Sequence, residues 1–415
     1  IDGSTVASGN KTYNFKNYTT LTLGSGSKTI THNSDGSKSV AVSAYFNSSP
    51  YLGSATVSAT FNLTTIARAS SISSITGGSE LNQSVTVNIS RKSSSFTHKV
   101  EYSYAGSSYI TASINAGTSC SFTPSTSLAS YVPNSTSGTL TVRVTTYNGS
   151  TQIGSAVTAT KTLSIPSSVV PTMGTPSVTR IDNGVPSGWG IYVQSFSKAT
   201  VTMTGVAGAY GSTIKSYSIT GGGLNTNTSS ATTGVLNTSG TITFTCTIID
   251  SRGRSATKTT SINVAAYSPP SLSLSAERSD SSGTPNASAG TCAKVTATFS
   301  FASVSGKNSI TSKSCSCNGQ TNTSFASGTP FVLNANLSIG SSYTVTATIT
   351  DALGRSSGPI TVSISSAKRI MNVKANKNGM GIGKFAEKDG YLELGWDLQL
   401  KSGNIALDYE VISTF

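Results

Sequence analysis

Large apolar residues recur at every second position along most of this chain. Val40, Val42, Ala44 and Phe46 form one such run, and Val57, Ala59, Phe61 and Leu63 another. Val85, Val87 and Ile89 follow, then Val100, Tyr102 and Tyr104, then Leu140, Val142 and Val144. Side chains alternate across a strand, so each run predicts a strand with one apolar face. Asp35-Gly36 and Asn148-Gly149 are hairpin-turn signals between such runs. The most complete alternation is near the C-terminus, where Leu392, Leu394, Trp396, Leu398 and Leu400 are separated by polar residues or Gly. A lone strand cannot bury that face, and the residues after Ser366 are too few for a comfortable core. Leu392, Leu394, Trp396, Leu398 and Leu400 are therefore the expected oligomer contact.

Breaks in the pattern divide the chain. Residues 1–66 read as an N-terminal β-meander, with a connector at Ile66-Ala67-Arg68-Ala69-Ser70. Residues 67–168 read as a second module, closed by Pro166 and Pro171, because proline cannot continue a central strand. Residues 169–268 and 269–366 read as two copies of one unit. Asp250-Ser251-Arg252-Gly253-Arg254-Ser255 in the first matches Asp351-Ala352-Leu353-Gly354-Arg355-Ser356 in the second, at an offset of 351 − 250 = 101 residues. Arg180 and Asp182 match Arg278 and Asp280, and Ile214–Ile219 matches Ile310–Cys315. Tyr267-Ser268-Pro269-Pro270 is the expected hinge between the copies. A repeat of about 100 residues has the size of an immunoglobulin-like sandwich. The expected fold is all-β: tandem immunoglobulin-like β-sandwich modules, then a short C-terminal β segment at 367–415 for trimerisation or attachment.

Composition supports this. Charged residues are only 10% of the chain, against about 25% in a typical soluble protein. Ser, Thr, Gly and Asn fill the gap, while β-branched residues and Tyr stay plentiful at alternate positions. That excludes a disordered chain and suits half-buried strands. The net charge of +13 comes from scattered residues and favours polyanions such as an anionic cell wall. No Lys/Arg run reaches the length of a nucleic-acid patch, so nucleic acid is not an expected partner. No apolar run is long enough to insert in a membrane. The chain does not begin with Met, so the lack of a leader carries little weight. Five cysteines at irregular spacing do not form a disulfide framework. They read as small buried hydrophobes in a chain made in a reducing cytoplasm.

Little in the sequence points to catalysis. The two histidines, His32 and His98, lack partner signals for a triad or a metal site, and no carboxylate pair is marked. Gly379-Met380-Gly381-Ile382-Gly383-Lys384 fails as a phosphate loop, since the spacing is wrong and Phe385 stands where Ser or Thr is needed. No catalytic residue, metal or cofactor is expected. The repeated Asp…Gly-Arg-Ser reads as a turn: Asp caps it through the backbone, Gly supplies positive φ, and Arg pairs with Asp. If the first module binds carbohydrate, Tyr13, Tyr18, Tyr45 and Tyr51 are the contacts to test, because rings stack on sugars.

Three regions carry a family resemblance. The first is Leu21–Ser70, with Ile30-Thr31-His32-Asn33-Ser34-Asp35-Gly36 and Leu63-Thr64-Thr65-Ile66-Ala67-Arg68-Ala69-Ser70; Pro is usual where Ala67 stands. The second is Tyr192-Val193-Gln194, Ser197-Lys198, Tyr210–Tyr217 and Asp250–Ser255. The third is Gly381-Ile382-Gly383-Lys384 with Leu392-Glu393-Leu394-Gly395. In this order they resemble the minor structural, tail-fibre and tail-tip proteins of siphophages of Gram-positive hosts. The resemblance implies a virion tail component, assembled in the host cytoplasm, that helps contact the host surface. It implies other phage tail proteins as partners, and host polysaccharide or teichoic acid as a ligand. It supplies no catalytic residues. With the unburied C-terminal face, it points to a homotrimer and a non-enzymatic fibre or tip protein. Two alternatives stay open: a bacterial adhesin stalk of immunoglobulin-like repeats, and a tail-associated cell-wall hydrolase.

Overall fold

A computed structural model describes residues 1, 3–8, 25–48, 53–367, 371–383 and 386–394. Strand accounts for 51% of the described residues and helix for 2%, so the fold is all-β, built of tandem sandwich modules. Internal contacts divide the chain into two compact units. One takes residues 1–175, 203–218 and 246–258, and the other 176–202, 219–245 and 259–415.

In the first unit the second module is a complete sandwich. Its smaller sheet orders Ser71–Gly77, Val85–Ser90 and Ser119–Phe122; its larger one orders Ile110–Ala116, Phe96–Tyr104, Ser137–Asn148 and Thr151–Ser164. The alternating residues face inward as read. Val85, Val87, Ile89, Val100, Tyr102, Tyr104, Leu140, Val142 and Val144 are buried in one cluster. Asn148 ends one strand and Thr151 begins the next, with Gly149 at φ +58 between them.

Tyr104 shows how such a thin core is locked. Its ring is fully buried, and its hydroxyl donates to the Leu163 carbonyl at 2.9 Å. Gly138 leaves the room, since a Cβ there would lie 2.7 Å from the ring. The ring packs while its one polar atom is satisfied.

The first module differs from expectation. The Asp35-Gly36 turn forms, with the Asp35 carboxylate accepting from the Ser37 amide at 2.9 Å and its hydroxyl at 2.7 Å. It joins no hairpin among the described residues, since residues 25–33 take no strand pairing beyond the turn's own backbone bonds between Asn33, Gly36 and Ser37. Among the described residues the meander reduces to one hairpin, Ser39–Ser48 paired antiparallel with Gly53–Asn62.

In the second unit the fourth module repeats the arrangement of three plus four strands. Ser271–Ser279, Cys292–Ser300 and Phe331–Leu333 form one sheet; Gln320–Asn322, Ile310–Cys317, Tyr343–Asp351 and Ser356–Ile364 form the other. Cys315 and Cys317 lie in its core, beside Val345, Ala347 and Ile349. Burial, and then the neighbouring Cys317, push the Cys315 thiol up to about 11, so it stays protonated and packs as a hydrophobe. From the third module this unit holds a sheet of Ser177–Ile181, Lys198–Thr202 and Ser230–Thr232. Short strands Met371–Val373, Met380–Ile382 and Leu392–Leu394 then form a separate sheet.

Replacing Tyr104 with Phe removes the donor and strands the Leu163 carbonyl. The expected loss is about 1–2 kcal/mol of second-module stability in chemical denaturation, with the fold retained. Gly138→Ala, which presses on the ring itself, is expected to cost at least as much.

Candidate functional site: the docking loops of the third and fourth modules

The duplicated Asp loop is the most elaborate polar feature described, and its two copies share the same backbone bonds and Asp cap. The Asp250 amide donates to the Arg254 carbonyl and that of Asp351 to Arg355, both at 2.9 Å. The Gly253 amide donates back to Asp250 and that of Gly354 to Asp351. The Asp250 carboxylate accepts from the Arg252 and Arg254 amides; that of Asp351 accepts from Leu353 and Arg355. Gly253 and Gly354 have φ of +80 and +73, which a side chain would strain. The turn is therefore built as the sequence indicates.

The arginines are not. Neither Arg252 nor Arg254 forms a side-chain ion pair with Asp250. Arg252, only 6% exposed, reaches across to the second module. Its guanidinium donates to the carbonyls of Val132 at 3.2 Å and Ala129 at 2.8 Å, and to Ala209 and Tyr210 (2.7 Å) of its own module. Arg254 donates to the carbonyls of Ile165, Pro166 and Val169, where the second module's last strand exits. The Ser251 hydroxyl adds a bond to the Pro133 carbonyl at 2.6 Å. Ala129 lies in a short 3-10 helix, Thr126–Tyr131, and its carbonyl also accepts from the Val132 amide at 3.0 Å. A cation there also meets the negative end of the helix. Burial pushes the Arg252 guanidinium below its ordinary value, opposed by the Asp250 carboxylate. Five fixed donors on one planar group match the array of oxygens, and lysine offers no such fork.

The fourth module uses the same loop differently. Leu353 replaces Arg252 and enters an apolar cluster with Val185, Val193, Phe196 and Val304. Arg355 lies over the Phe196 ring, 5.0 Å from its centroid. The second oxygen of Asp351 accepts from the Tyr267 hydroxyl at 2.9 Å and from Asn308 at 3.2 Å. Tyr267 also meets Phe196 edge to face. The Tyr-Ser-Pro-Pro segment is thus pinned rather than a free hinge. In the third module Ser212 stands where Asn308 does, two residues before the matching strand, and its hydroxyl turns to Ala209. The second oxygen of Asp250 accordingly makes no hydrogen bond within the protein.

Arg278 and Arg180, matched in sequence, also diverge. Arg180 pairs with Asp182 at 2.6 Å. Arg278 is buried and donates to the carbonyls of Ser365, Gly290, Ser338 and Ser341, closing the end of the fourth module from within.

Other candidates resolve as packing. His98 is buried, with Nδ1 3.0 Å from the Ala116 carbonyl. Glu101 is bracketed by Lys99 and Arg143, each at 2.8 Å, and Arg143 stacks on Tyr109. A shallow depression lined by Gly3, Ala41, Val42, Ser43, Ser58, Ala59 and Thr60 has no titratable lining residue. Gly381 sits within a strand and Gly383 follows it at φ +77. Among the described residues no group of three metal-binding side chains gathers, and no helix is long and apolar enough to cross a membrane.

Of the expected oligomer contact, Leu392 and Leu394 lie in a strand paired parallel with Met380–Ile382. Leu392 is 57% exposed and Leu394 half-buried. Trp396, Leu398 and Leu400 lie outside the described residues, as do Tyr13, Tyr18 and Tyr51. Tyr45 is 66% exposed on the first hairpin.

Two substitutions test the loops. Arg252→Ala leaves the Ala129 and Val132 carbonyls without this donor. It is expected to cost about 3 kcal/mol and to split a joint melting transition of the second and third modules in calorimetry. Arg252→Lys is expected to recover only part of the loss. The Tyr267 hydroxyl is held well above its ordinary value by burial and by the Asp351 carboxylate. A raised pKa contributes stability that is complete below the unfolded value, near pH 10, and fades as pH rises through the folded one. Tyr267→Phe is thus expected to cost about 1–2 kcal/mol near neutral pH and to flatten the alkaline fall in stability.

The comparisons with known proteins bear on family. The fibronectin(III)-like modules of Clostridium thermocellum CbhA match at 14% identity, TM-score 0.21, over 46% of this chain and 93% of that one. A 1.5-MDa bacterial ice-binding adhesin matches at 18% identity, TM-score 0.28, over 68% and 89%. The PcdhgB3 EC1-4 structure matches at 12% identity, TM-score 0.36, over 82% and 86%. No curated protein sequence matches the chain. Residues 1–410 match the model of a family described as siphovirus protein of unknown function (DUF859). With nearly its whole length matched, the chain belongs to that siphovirus family.

Proposed function

We propose that the chain is a non-enzymatic structural protein of the siphophage tail, a fibre or tail-tip component with a role in attachment to the host surface. Membership of a siphovirus family supports association with the virion. The observation that carries the finer reading is the pair of docking loops. Two consecutive modules each spend a buried, backbone-capping Asp turn on holding the module before them. Chemistry of that kind serves a spacer that must keep its parts in register under load. In this reading the C-terminal segment trimerises the chain or attaches it to other tail proteins. The positive net charge suits a wall polysaccharide or teichoic acid as the surface met.

Two measurements test this. Antibody labelling of intact particles under the electron microscope is expected to decorate the tail; label confined to the head, or absent from particles, contradicts the reading. Light scattering of the purified chain is expected to give about three times the 42.3 kDa of one copy, with Trp396→Asp lowering it.

A further inference from the structure

An Asn-Gly step carries the makings of a reaction within itself. The backbone nitrogen of the glycine can approach the asparagine side-chain carbonyl, because no Cβ on the second residue stands in the way. The chain has four such steps: Asn148-Gly149, Asn183-Gly184, Asn318-Gly319 and Asn378-Gly379. The fold restrains three of them. Asn183 donates its side-chain amide to the Phe196 carbonyl at 2.7 Å, and Asn318 to the Ala335 carbonyl at 2.6 Å. Both also hold left-handed backbone, at φ +50 and +47. Asn378-Gly379 is crowded, since a Cβ on Gly379 would lie 2.2 Å from the Lys388 carbonyl oxygen.

Asn148-Gly149 has none of these restraints. Asn148 ends the strand Ser137–Asn148 and pairs with Thr151, which leaves Gly149 and Ser150 as a two-residue turn. Gly149, at φ +58, takes the first central place of that turn, where glycine is favoured. Asn148, Gly149 and Ser150 are all exposed. A Cβ built on Gly149 meets nothing within 4 Å, so the space beside the attacking nitrogen is open. Among the described residues nothing hydrogen-bonds to the Asn148 side chain or to the Gly149 amide.

We propose that Asn148 is a spontaneous modification site, at which the folded chain converts asparagine to aspartate and isoaspartate. The Gly149 amide gives its proton to water or hydroxide, and its nitrogen forms a bond to Cγ of Asn148. The Cγ–Nδ2 bond breaks, Nδ2 takes up a proton and leaves as ammonia, and a succinimide ring remains. Water then opens the ring. Attack at the side-chain carbonyl gives aspartate, and attack at the backbone carbonyl gives isoaspartate. Nothing is oxidised or reduced, and water is the only co-reactant. Either product replaces a neutral amide with a carboxylate, so a modified copy carries one more negative charge. Isoaspartate also adds a carbon to the main chain, inside the turn that sets the register of Ser137–Asn148 against Thr151–Ser164. The site lies two positions from Thr146, whose hydroxyl accepts from the Ser70 amide at 3.0 Å. The new charge therefore arises beside the entry from the first module. The inference does not rest on a role in the tail.

The test is peptide mapping by mass spectrometry of the full chain held in mildly alkaline buffer, with a urea-unfolded sample giving each step its own reference rate. Breaking a hydrogen bond before the attack slows it by about tenfold. The ratio of folded to unfolded rate at Asn148 is therefore expected to exceed the ratios at Asn183 and Asn318 by about that factor, with isoaspartate identified by fragmentation. The rate at Asn148 is expected to rise with pH, because the attacking amide must lose its proton. Asn148→Gln keeps the amide but closes a ring less readily. It is expected to remove the first acidic species that ageing brings out on cation exchange. The proposal is overturned if folded Asn148 stays unmodified while the unfolded sample reacts, or if Asn183 and Asn318 show the same ratio as Asn148. An acidic species that persists unchanged in Asn148→Gln overturns it too.

Discussion

A β-sandwich satisfies its strands internally but not its ends. Where the last strand leaves and the loops turn back, carbonyl oxygens point out of the module, and burying them without donors costs free energy. This chain answers that constraint with guanidinium groups. At the end of the second module the donors come from the next one, through Arg252 and Arg254. At the end of the fourth they come from within, through Arg278. Stacking a module and closing one are two answers to the same need. The first ties a module's end to its neighbour, and the second closes a module from within.

The two docking loops show that the scaffold is fixed while its payload varies. Asp, Gly and the backbone bonds are the same in both. What projects differs: a carbonyl-binding arginine in one, and a leucine plug with a pinned tyrosine in the other. Each loop therefore fits the end of its own predecessor. Module order is thus written into the contacts, and exchanging Arg252 with Leu353 would place a charge in an apolar cluster and a hydrocarbon among carbonyls.

Much of this was legible in advance. Alternation located the inward faces of the second module, and the Asp…Gly-Arg-Ser repeat located both loops. The capping role of Asp is local, which is why residue types alone revealed it. The destination of the arginines was hidden for a physical reason. Their acceptors are backbone carbonyls 42 to 123 residues away, and every residue has a carbonyl. Asp250 and Asp182 were the nearer anions in sequence; only Asp182 took its arginine. Alternation also failed to distinguish the buried faces of the second module from the exposed face of the first hairpin, since the pattern states which side is apolar but not what covers it. At the C-terminus the described strand covers Leu392 and Leu394, the beginning of the stripe.

The central claim is that the Asp250 loop belongs energetically to the second module as well as to the third. Hydrogen exchange of the full chain, resolved by residue, tests it most directly. The Asn148-Gly149 turn, exposed on the second module, supplies the internal reference. The account predicts that the Asp250, Arg252 and Gly253 amides exchange nearly as slowly as those of the Val142 strand, while Gly149 and Ser150 exchange at once. Exchange of the Asp250 loop as fast as that of the exposed turn would contradict it.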